Sequence, residues 1–343
     1  MARKGKSSSR RINKIEPSAL SLVFNLPNTP SGTTSTTYVD ISQQVSLLNR
    51  RFYRQGLNWA VAGFKLIGPN LNVGQSTKAV AIVSKLPNTW VMANAWEKSM
   101  RAWMRMNREA LTESESVRPR FLDFKIYADS EHHAAGFGAN ALPLSMGGPF
   151  TAGEWESSKL VIPNTIVTPG TVGGFELVAV GPNDPGLGFS GLDAKSLIEG
   201  YAASRGLPNI LDPNTPDDAS DYDENWMMAL FNDGTQQDAE VVVDMISENN
   251  IAPYPFENDG VNLDTMYPNG ANQSPGLEIH DFSGISSTTI GNITRLKGGN
   301  FPCGLVRIDY EVHAESISHG QTVVIDLIPG THRGYLAEPM TEM

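Results

Sequence analysis

The densest group of chemically active side chains in this 343-residue sequence lies at its start, before the first acidic residue, Glu16. The group consists of six cations, Arg3, Lys4, Lys6, Arg10, Arg11 and Lys14. Lysine and arginine on a flexible chain neutralise phosphates without reading bases, and such binding weakens steeply with salt. No aromatic side chain is interleaved among them to stack on bases, so the segment predicts nonspecific binding of a polyanion.

Residues 1–16 are expected to form a disordered arm, because apart from Ile12 and Ile15 they offer almost nothing to bury. The whole chain has a net charge of −11, so the remainder without the six arm cations carries about −17. A cationic arm on an acidic body indicates that the arm holds a polyanion while the body has another task. Two other interpretations stay open, namely a merely solvated basic tail and a nuclear-import signal.

Motifs for phosphate or acyl chemistry are incomplete elsewhere in the sequence. Residues 136–141 match the letters of a dinucleotide fingerprint, but Pro143 follows at once, so the helix that must meet the pyrophosphate is not expected. Residues 188–192 miss the nucleophile-elbow spacing, because Leu192 stands where the second glycine should be. We therefore expect no enzymatic activity and no cofactor.

Metal-ligating residue types also lack a recognisable spacing. His132 and His133 are adjacent, so on an extended segment they would point in opposite directions. The densest acidic run, 212–224, departs from an EF-hand because Pro216 occupies a ligand position. A solvated loop is the default interpretation of this run, and calcium bridging between subunits is the sharper alternative. The calcium ligands would be Asp217, Asp218, Asp221 and Asp223.

Alternation of polar and apolar residues predicts that β-strands carry most of the chain. The candidates are 18–26, 58–67, 77–86, 121–127, 160–162, 165–167, 175–180, 277–282, 305–312 and 322–328, with 38–41 and 45–48 as short strands or turns. Roughly eight to ten strands without regular βα alternation favour an all-β antiparallel sandwich with long connections. The eight-stranded jelly roll is the expected version.

One long amphipathic helix is predicted inside this strand series, from Thr89 as N-cap to about Glu113. Its tryptophan and methionine side chains fall on one face and are expected to pack in the core. The opposite face carries Lys98, Arg101, Arg105 and Arg108. This basic face is either an ordinary solvated face or a second surface for phosphates.

The predicted domain organisation is a basic arm, residues 1–16, followed by one β-sandwich domain, 17–343, with an elaborated loop region at about 181–273. A single cysteine, Cys303, excludes an intrachain disulfide framework. No window approaches the roughly 20 apolar residues that span a bilayer. Membrane insertion is therefore not expected.

Three segments give the chain a resemblance to a known family. They are the Trp-rich segment 86–98, LPNTWVMANAWEK, the strand 120–127, RFLDFKIY, and the tail 327–340, LIPGTHRGYLAEPM. Together with the basic arm and the strand series, they resemble the capsid proteins of small circular single-stranded DNA viruses that encode a replication initiator, near the smacoviruses. The resemblance covers most of the chain and depends on the arrangement of elements rather than on a catalytic motif.

The resemblance implies a jelly-roll capsid subunit that self-assembles into a small icosahedral shell of about 60 copies and packages circular single-stranded DNA nonspecifically. The arm cations would face the genome in the virion, with assembly in the host nucleus and an unidentified host receptor as a further partner. The arm is short and sparse beside the long Arg-rich arms of circovirus-like capsids, so the basic helix face is the second candidate DNA contact. The alternative function is a β-sandwich module that binds carbohydrate or another ligand and has a nonessential basic tail.

Overall fold

Antiparallel β-structure with a few helices makes up most of the part of the chain that the structure, a computed structural model, describes. That part comprises residues 17–69, 77–113, 116, 122–164, 171–183, 185–205, 226–227, 276–287 and 292–342. The strands are β1 (Ser21–Asn25), β2 (Thr34–Asp40), β3 (Leu57–Ile67), β4 (Lys78–Lys85), β5 (Leu144–Ser145), β6 (Gly148–Pro149), β7 (Leu160–Asn164), β8 (Thr171–Val178), β9 (Asp193–Ser196), β10 (Glu278–Ser286), β11 (Ile293–Phe301), β12 (Leu305–Val312), β13 (Thr322–Leu327), β14 (Pro329–Gly330), β15 (Gly334–Tyr335) and β16 (Ala337–Pro339). The α-helices are α1 (Ile41–Asn49), α2 (Trp90–Glu113), α3 (Ser130–Ala135) and α4 (Leu197–Arg205). The predicted all-β class and the predicted long helix are confirmed.

Nine strands build two antiparallel sheets, and eight of them pair in a nested order. The first sheet has the order β1-β13-β3-β11, with β16 also pairing with β3, and the second has the order β10-β4-β12-β2. Pairing is nested along the chain: β1 pairs with β13, β2 with β12, β3 with β11, and β4 with β10. The chain thus forms a long antiparallel ribbon folded back on itself, and the further pairs β13–β3 and β12–β4 complete the two sheets.

Alternate side chains of both sheets point into one shared apolar core. On β13 of the first sheet, Val323, Ile325 and Leu327 are buried, and on β12 of the second sheet Ile308 and Tyr310 are buried. All five belong to the same hydrophobic cluster. The two-residue period that predicts these strands therefore also explains how the sheets pack against each other.

Most of the remaining elements lie in the connection between β4 and β10. This connection contains α2, α3, α4 and the three-stranded sheet β7-β8-β9. A second hydrophobic cluster joins α2 to this sheet and to α4, and includes Trp96, Trp103 and Phe175. The elaborated region predicted at about 181–273 lies largely outside the described residues, and the described part of the connection already begins after Lys85.

The prediction of a strand or turn at residues 45–48 is wrong, because these residues belong to helix α1. The Asp40 carboxylate caps this helix and accepts hydrogen bonds from the backbone N–H groups of Ser42 at 2.9 Å and Gln43 at 3.2 Å. Such a cap satisfies N–H groups that have no partner within the helix, and so fixes where the helix begins.

The prediction of a strand at 121–127 is wrong for residues 122–126, which join no sheet among the described residues, and Tyr127 forms only a single bridge, to Val178. The first residue of the predicted strand lies outside the described part. Side chains take the place of a partner strand: the N–H of Ile126 donates to Gln55 Oε1 at 2.7 Å, and the N–H of Lys125 donates to Ser158 Oγ at 2.9 Å. These two N–H groups are therefore satisfied without a ladder.

Strand β11 is not predicted from the sequence, because two adjacent glycines, Gly298 and Gly299, interrupt its apolar pattern. In the structure, a Cβ at Gly298 would lie 2.2 Å from the carbonyl oxygen of Val61 on β3. The close approach of the two backbones therefore requires glycine at this position.

Candidate nucleic-acid interface

The root of the basic arm is fixed at one end of the first sheet. Ser18 Oγ donates to the carbonyl oxygen of Arg333 at 2.9 Å, and the N–H of Ala19 donates to Asn49 Oδ1 at 3.0 Å. The arm cations themselves, Arg3, Lys4, Lys6, Arg10, Arg11 and Lys14, lie outside the described residues. The arm therefore enters β1 beside Arg333, at the end of the sheet where β3 begins.

The basic face of α2 is narrower than the sequence suggests. Three of its four cations are exposed, namely Arg101, Arg105 and Arg108. Lys98 is half-buried instead, with its ammonium 5.1 Å from the ring centroid of Tyr201 on α4. Arg101 forms an ion pair with Glu97 one turn earlier. Helix α4 thus covers the Lys98 edge of this face and leaves the three arginines at the surface.

A groove of about 650 Å³ opens between α2, the start of β3 and the C-terminal residues. We call it the α2 groove. Its floor is apolar and aromatic, formed by Trp96, Met100, Trp103, Met104 and Phe124. The Phe124 ring contacts both indoles, with centroids 5.7 Å from Trp103 and 5.9 Å from Trp96. A concave apolar site of this size is typical of ligand pockets.

Trp96 lies against the backbone at the base of the α2 groove because residue 56 is glycine. A Cβ on Gly56 would come within 2.4 Å of the indole ring. Trp96 is 4% exposed, and its indole N–H has no hydrogen-bond partner in the part of the chain that the structure describes. A buried donor without an acceptor costs free energy, so a ligand acceptor that reached it would be stabilised.

Two exposed guanidinium groups stand beside this apolar floor, those of Arg54 and Arg333. Each is oriented by one backbone carbonyl: Arg54 Nε donates to the oxygen of Leu122 at 3.1 Å, and Arg333 Nη1 donates to the oxygen of Phe52 at 2.7 Å. Among the described residues, no carboxylate lies within 4 Å of either guanidinium. Arg54 lowers the pKa of the Asp123 carboxyl from beyond this distance, so its charge is partly balanced there. An oriented guanidinium suits a phosphate.

Two titratable side chains, Asp123 and His332, also line the α2 groove. Burial raises the pKa of Asp123 to about 6, although Lys125, whose ammonium lies 3.7 Å away, acts in the opposite direction. Burial lowers the pKa of His332, and the nearby charges of Arg333 and Arg54 lower it further. At neutral pH the imidazole of His332 is therefore uncharged, and the cations of the groove are its arginines.

Asp123 belongs to a buried polar layer that holds one wall of the groove. The side chain of Gln55 donates to Asp40 Oδ2 at 3.0 Å, and its backbone N–H donates to Asp123 Oδ1 at 3.3 Å. Trp155 Nε1 donates to the same Asp40 oxygen at 3.0 Å. Burial raises the pKa of Asp40 despite these hydrogen bonds. The layer joins the segment before β3 to the extended segment 122–126.

His132 and His133 lie in helix α3 and are both buried, which corrects the expectation that they stand on an extended segment. His132 Nδ1 accepts a hydrogen bond from the N–H of Ala128 at 3.1 Å, and Nε2 lies 2.8 Å from Asn140 Oδ1. Both ring nitrogens are thus satisfied by a neutral imidazole, and burial lowers the pKa of His132 to about 4.

The second histidine, His133, contacts a buried carboxylate. Its Nε2 lies 3.0 Å from Glu176 Oε2, and the hydroxyls of Ser157 and Ser190 also donate to this carboxylate. Burial alone would raise the pKa of Glu176, but these hydrogen bonds outweigh it and lower the pKa. The serines donate to the carboxylate and not to the imidazole, so the geometry differs from that of a base-activated nucleophile. The contacts connect α3 to β8.

The candidate calcium ligands Asp217, Asp218, Asp221 and Asp223 lie outside the described residues. Within the described part, no cluster of three or more His, Cys, Asp or Glu side chains is arranged to hold a metal ion. None of the described helices is both long enough and apolar enough to cross a membrane.

The α2 groove and its two arginines form a candidate site that sequence reasoning missed. Its lining comes from segments far apart in the chain, around residues 52–57, 96–104, 122–124 and 332–341. One signal is present at 50–54, which reads Arg-Arg-Phe-Tyr-Arg. Basic residues interleaved with aromatics are typical of surfaces that bind single-stranded nucleic acid.

No family model matches the chain, and no curated protein or solved structure matches it significantly. The interpretation of the arm therefore depends on its charge, and that of the α2 groove on its geometry and charge.

Proposed function

We propose that this chain is a structural subunit of a viral capsid, with a jelly-roll fold that assembles into a small icosahedral shell around circular single-stranded DNA. The observation that carries the proposal is the nested pairing of the eight sheet strands, first with last and so on inward. Rolling such a ribbon produces two facing sheets with the strand orders β1-β13-β3-β11 and β10-β4-β12-β2. Jelly rolls of eight strands occur in viral capsid domains.

A fold alone does not assign a function, so the charge distribution is the second support. Six arm cations precede a body that carries about −17. The root of the arm lies beside Arg333, and Arg54 stands at the same groove. Six charges per copy bind a polyanion weakly, but many arms acting on one DNA molecule bind it strongly. A closed symmetric oligomer with its arms inside provides that arrangement.

The proposal extends to the setting in which such a subunit works. The mature protein would reside in the virion, and assembly would take place in the host nucleus, with the arm also serving as an import signal. An icosahedral shell of the smallest kind contains about 60 subunits.

Assembly of the purified full-length chain with and without circular single-stranded DNA tests this function. Sedimentation and negative-stain electron microscopy are expected to reveal uniform spherical particles, filled when DNA is present. A matched variant in which all six arm cations are replaced by glutamine is expected to lose the DNA. Protein that stays monomeric at high concentration, with or without DNA, contradicts the capsid proposal.

The α2 groove favours a second candidate, a β-sandwich module that binds a carbohydrate or another ligand and has a nonessential tail. Its aromatic floor and its volume of about 650 Å³ suit such a ligand. Deletion of residues 1–14 separates the two functions. A monomeric protein whose ligand binding survives this deletion would support the module, whereas loss of DNA packaging would support the capsid subunit.

A further inference from the structure

We propose that the α2 groove binds one nucleotide of single-stranded DNA, with the base on the apolar floor and the phosphate between Arg54 and Arg333. This inference rests on the proposed function and deepens it, since it gives the enclosed DNA a defined contact in every subunit. It also adds a stacking interaction that the arm, which has no aromatic residue, cannot provide.

The floor of the groove suits a nucleobase. Met100 and Met104 line it together with Trp103, and Met104 is 38% exposed, so a planar ring would cover apolar surface that is now in contact with solvent. Contacts between bases and aromatic or thioether side chains do not depend on base identity.

The two arginines of the groove indicate that the ligand also carries a negative charge. Arg54 and Arg333 are exposed, each is held by one backbone carbonyl, and neither is within 4 Å of a carboxylate of the described chain. An uncharged apolar ligand would bring no negative charge to either guanidinium group. A small inorganic anion would leave the floor uncovered. A nucleotide combines a flat apolar part with a phosphate and satisfies both.

The groove lies near the first described residues after the arm and near the exposed arginines of α2. The backbone carbonyl oxygen of Arg333 accepts the hydrogen bond from Ser18 Oγ that fixes the root of the arm. On α2, the side chains of Arg108 and Arg101 lie about 40° and 60° away from that of Met104 around the helix axis. A DNA strand whose phosphates contact the arm would therefore reach the groove, and neighbouring phosphates would meet the exposed arginines of α2.

Photochemical crosslinking locates the base directly. Full-length protein is mixed with a short oligothymidylate in which one thymine is replaced by 5-iodouracil, irradiated, digested and analysed by mass spectrometry. We expect adducts within residues 96–104 or 122–124, which line the floor. Adducts confined to residues 1–16 would overturn the proposal. A parallel experiment, in which dTMP competes with the oligothymidylate, tests whether a free nucleotide occupies the same site as the strand.

Affinity measurements with matched variants test the two halves of the groove separately. The double variant Arg54→Gln with Arg333→Gln should bind the oligothymidylate about tenfold more weakly, and Arg54→Lys with Arg333→Lys should recover part of the loss. Met104→Glu should also weaken binding about tenfold, because it places a negative charge on the floor. The control Lys78→Gln removes a cation on β4 that pairs with Glu315, away from the groove, and should bind like wild type.

Thermal unfolding of each variant shows whether it is folded, and unchanged affinity in a folded groove variant would overturn the proposal. An acidic peptide that competes with the oligothymidylate for the wild type but not for Arg54→Gln, with no adduct on the floor, would mean that the groove binds protein. The results for the groove can be distinguished from the results for capsid assembly. Particles without groove adducts would remove the nucleotide site alone, and groove adducts in a protein that never forms particles would remove the shell alone.

Discussion

Arg307 on β12 pairs with Asp129, the residue that caps helix α3, with Nη1 3.0 Å from Oδ2. The same guanidinium lies 2.9 Å from Glu131 and 2.9 Å from Asp309, and the hydroxyl of Tyr38 donates to Asp129 Oδ1 at 2.7 Å. One arginine of the second sheet therefore holds three carboxylates, two of which belong to the long connection between β4 and β10. The position of α3, and of strand β8, which α3 contacts through His133 and Glu176, depends on this arginine.

Replacing Arg307 by leucine should destabilise the protein by about 3 kcal/mol, because Asp129 and Asp309 are left without their charge partner in a largely buried site. The measurement is the free energy of unfolding from chemical denaturation. The control is Arg295→Leu on the exposed face of β11, which should change stability by less than about 0.5 kcal/mol. A loss at Arg307 as small as that at Arg295 would contradict the anchoring role.

Gly298→Ala should destabilise the first sheet, because the new methyl would lie 2.2 Å from the carbonyl oxygen of Val61 and the two backbones would have to separate. Overpacking of this kind costs about 1–3 kcal/mol. Gly284→Ala on β10 is the matched control, since a Cβ there meets nothing within 4 Å. Equal melting temperatures for the two alanine variants would show that the close approach of β11 to β3 is wrong.

Asp123 should make stability fall as the pH rises. Burial raises its folded pKa to about 6 from an unperturbed 3.8, so the folded state binds the proton more tightly than the unfolded state. The stability from this group is full below about pH 4 and is lost as the pH rises through 6. The unfolding free energy of Asp123→Asn relative to wild type should therefore increase by about 2.4 kcal/mol between pH 4 and pH 7. A difference that stays constant over this range would contradict the raised pKa.

His132 should make stability rise as the pH rises, which is the opposite of the effect of Asp123. Its folded pKa of about 4 lies below the unperturbed 6.5, so its contribution to stability is full above pH 6.5 and is lost as the pH falls towards 4. NMR titration of the imidazole measures this pKa without a mutation. We expect the ring to remain neutral until about pH 4, and a midpoint near 6.5 would mean that His132 is not buried as the structure has it.

Local patterns in the sequence predict the elements well where a single period runs without interruption. The bounds predicted for β12, 305–312, are those observed, and α2 begins directly after Thr89, whose hydroxyl accepts a hydrogen bond from the N–H of Met92 at 3.4 Å. Strand β11 is missed because Gly298 serves a contact with another strand, which no local pattern contains.

Contacts between distant residues account for what the sequence could not predict. Ser21 on β1 pairs with Asp326 on β13, about 300 residues later. A pattern within a short stretch of sequence therefore cannot predict the nested pairing of the strands. The α2 groove likewise needs Arg54 and Arg333 to meet at one place, and only the folded chain brings them there. The basic face of α2 was predicted as one surface, but the sequence could not show that Tyr201 covers Lys98.

Nuclease resistance of the bound DNA tests the central claim most directly. Circular single-stranded DNA is mixed with the full-length chain, treated with a nuclease, and the surviving DNA is compared with that from the variant whose six arm cations are glutamine. We expect full-length circles to survive with the wild-type chain and to be degraded with the variant, because a closed shell excludes the nuclease only when the arms hold DNA inside. Degradation at equal rates in both samples would contradict the claim that this protein encloses a genome.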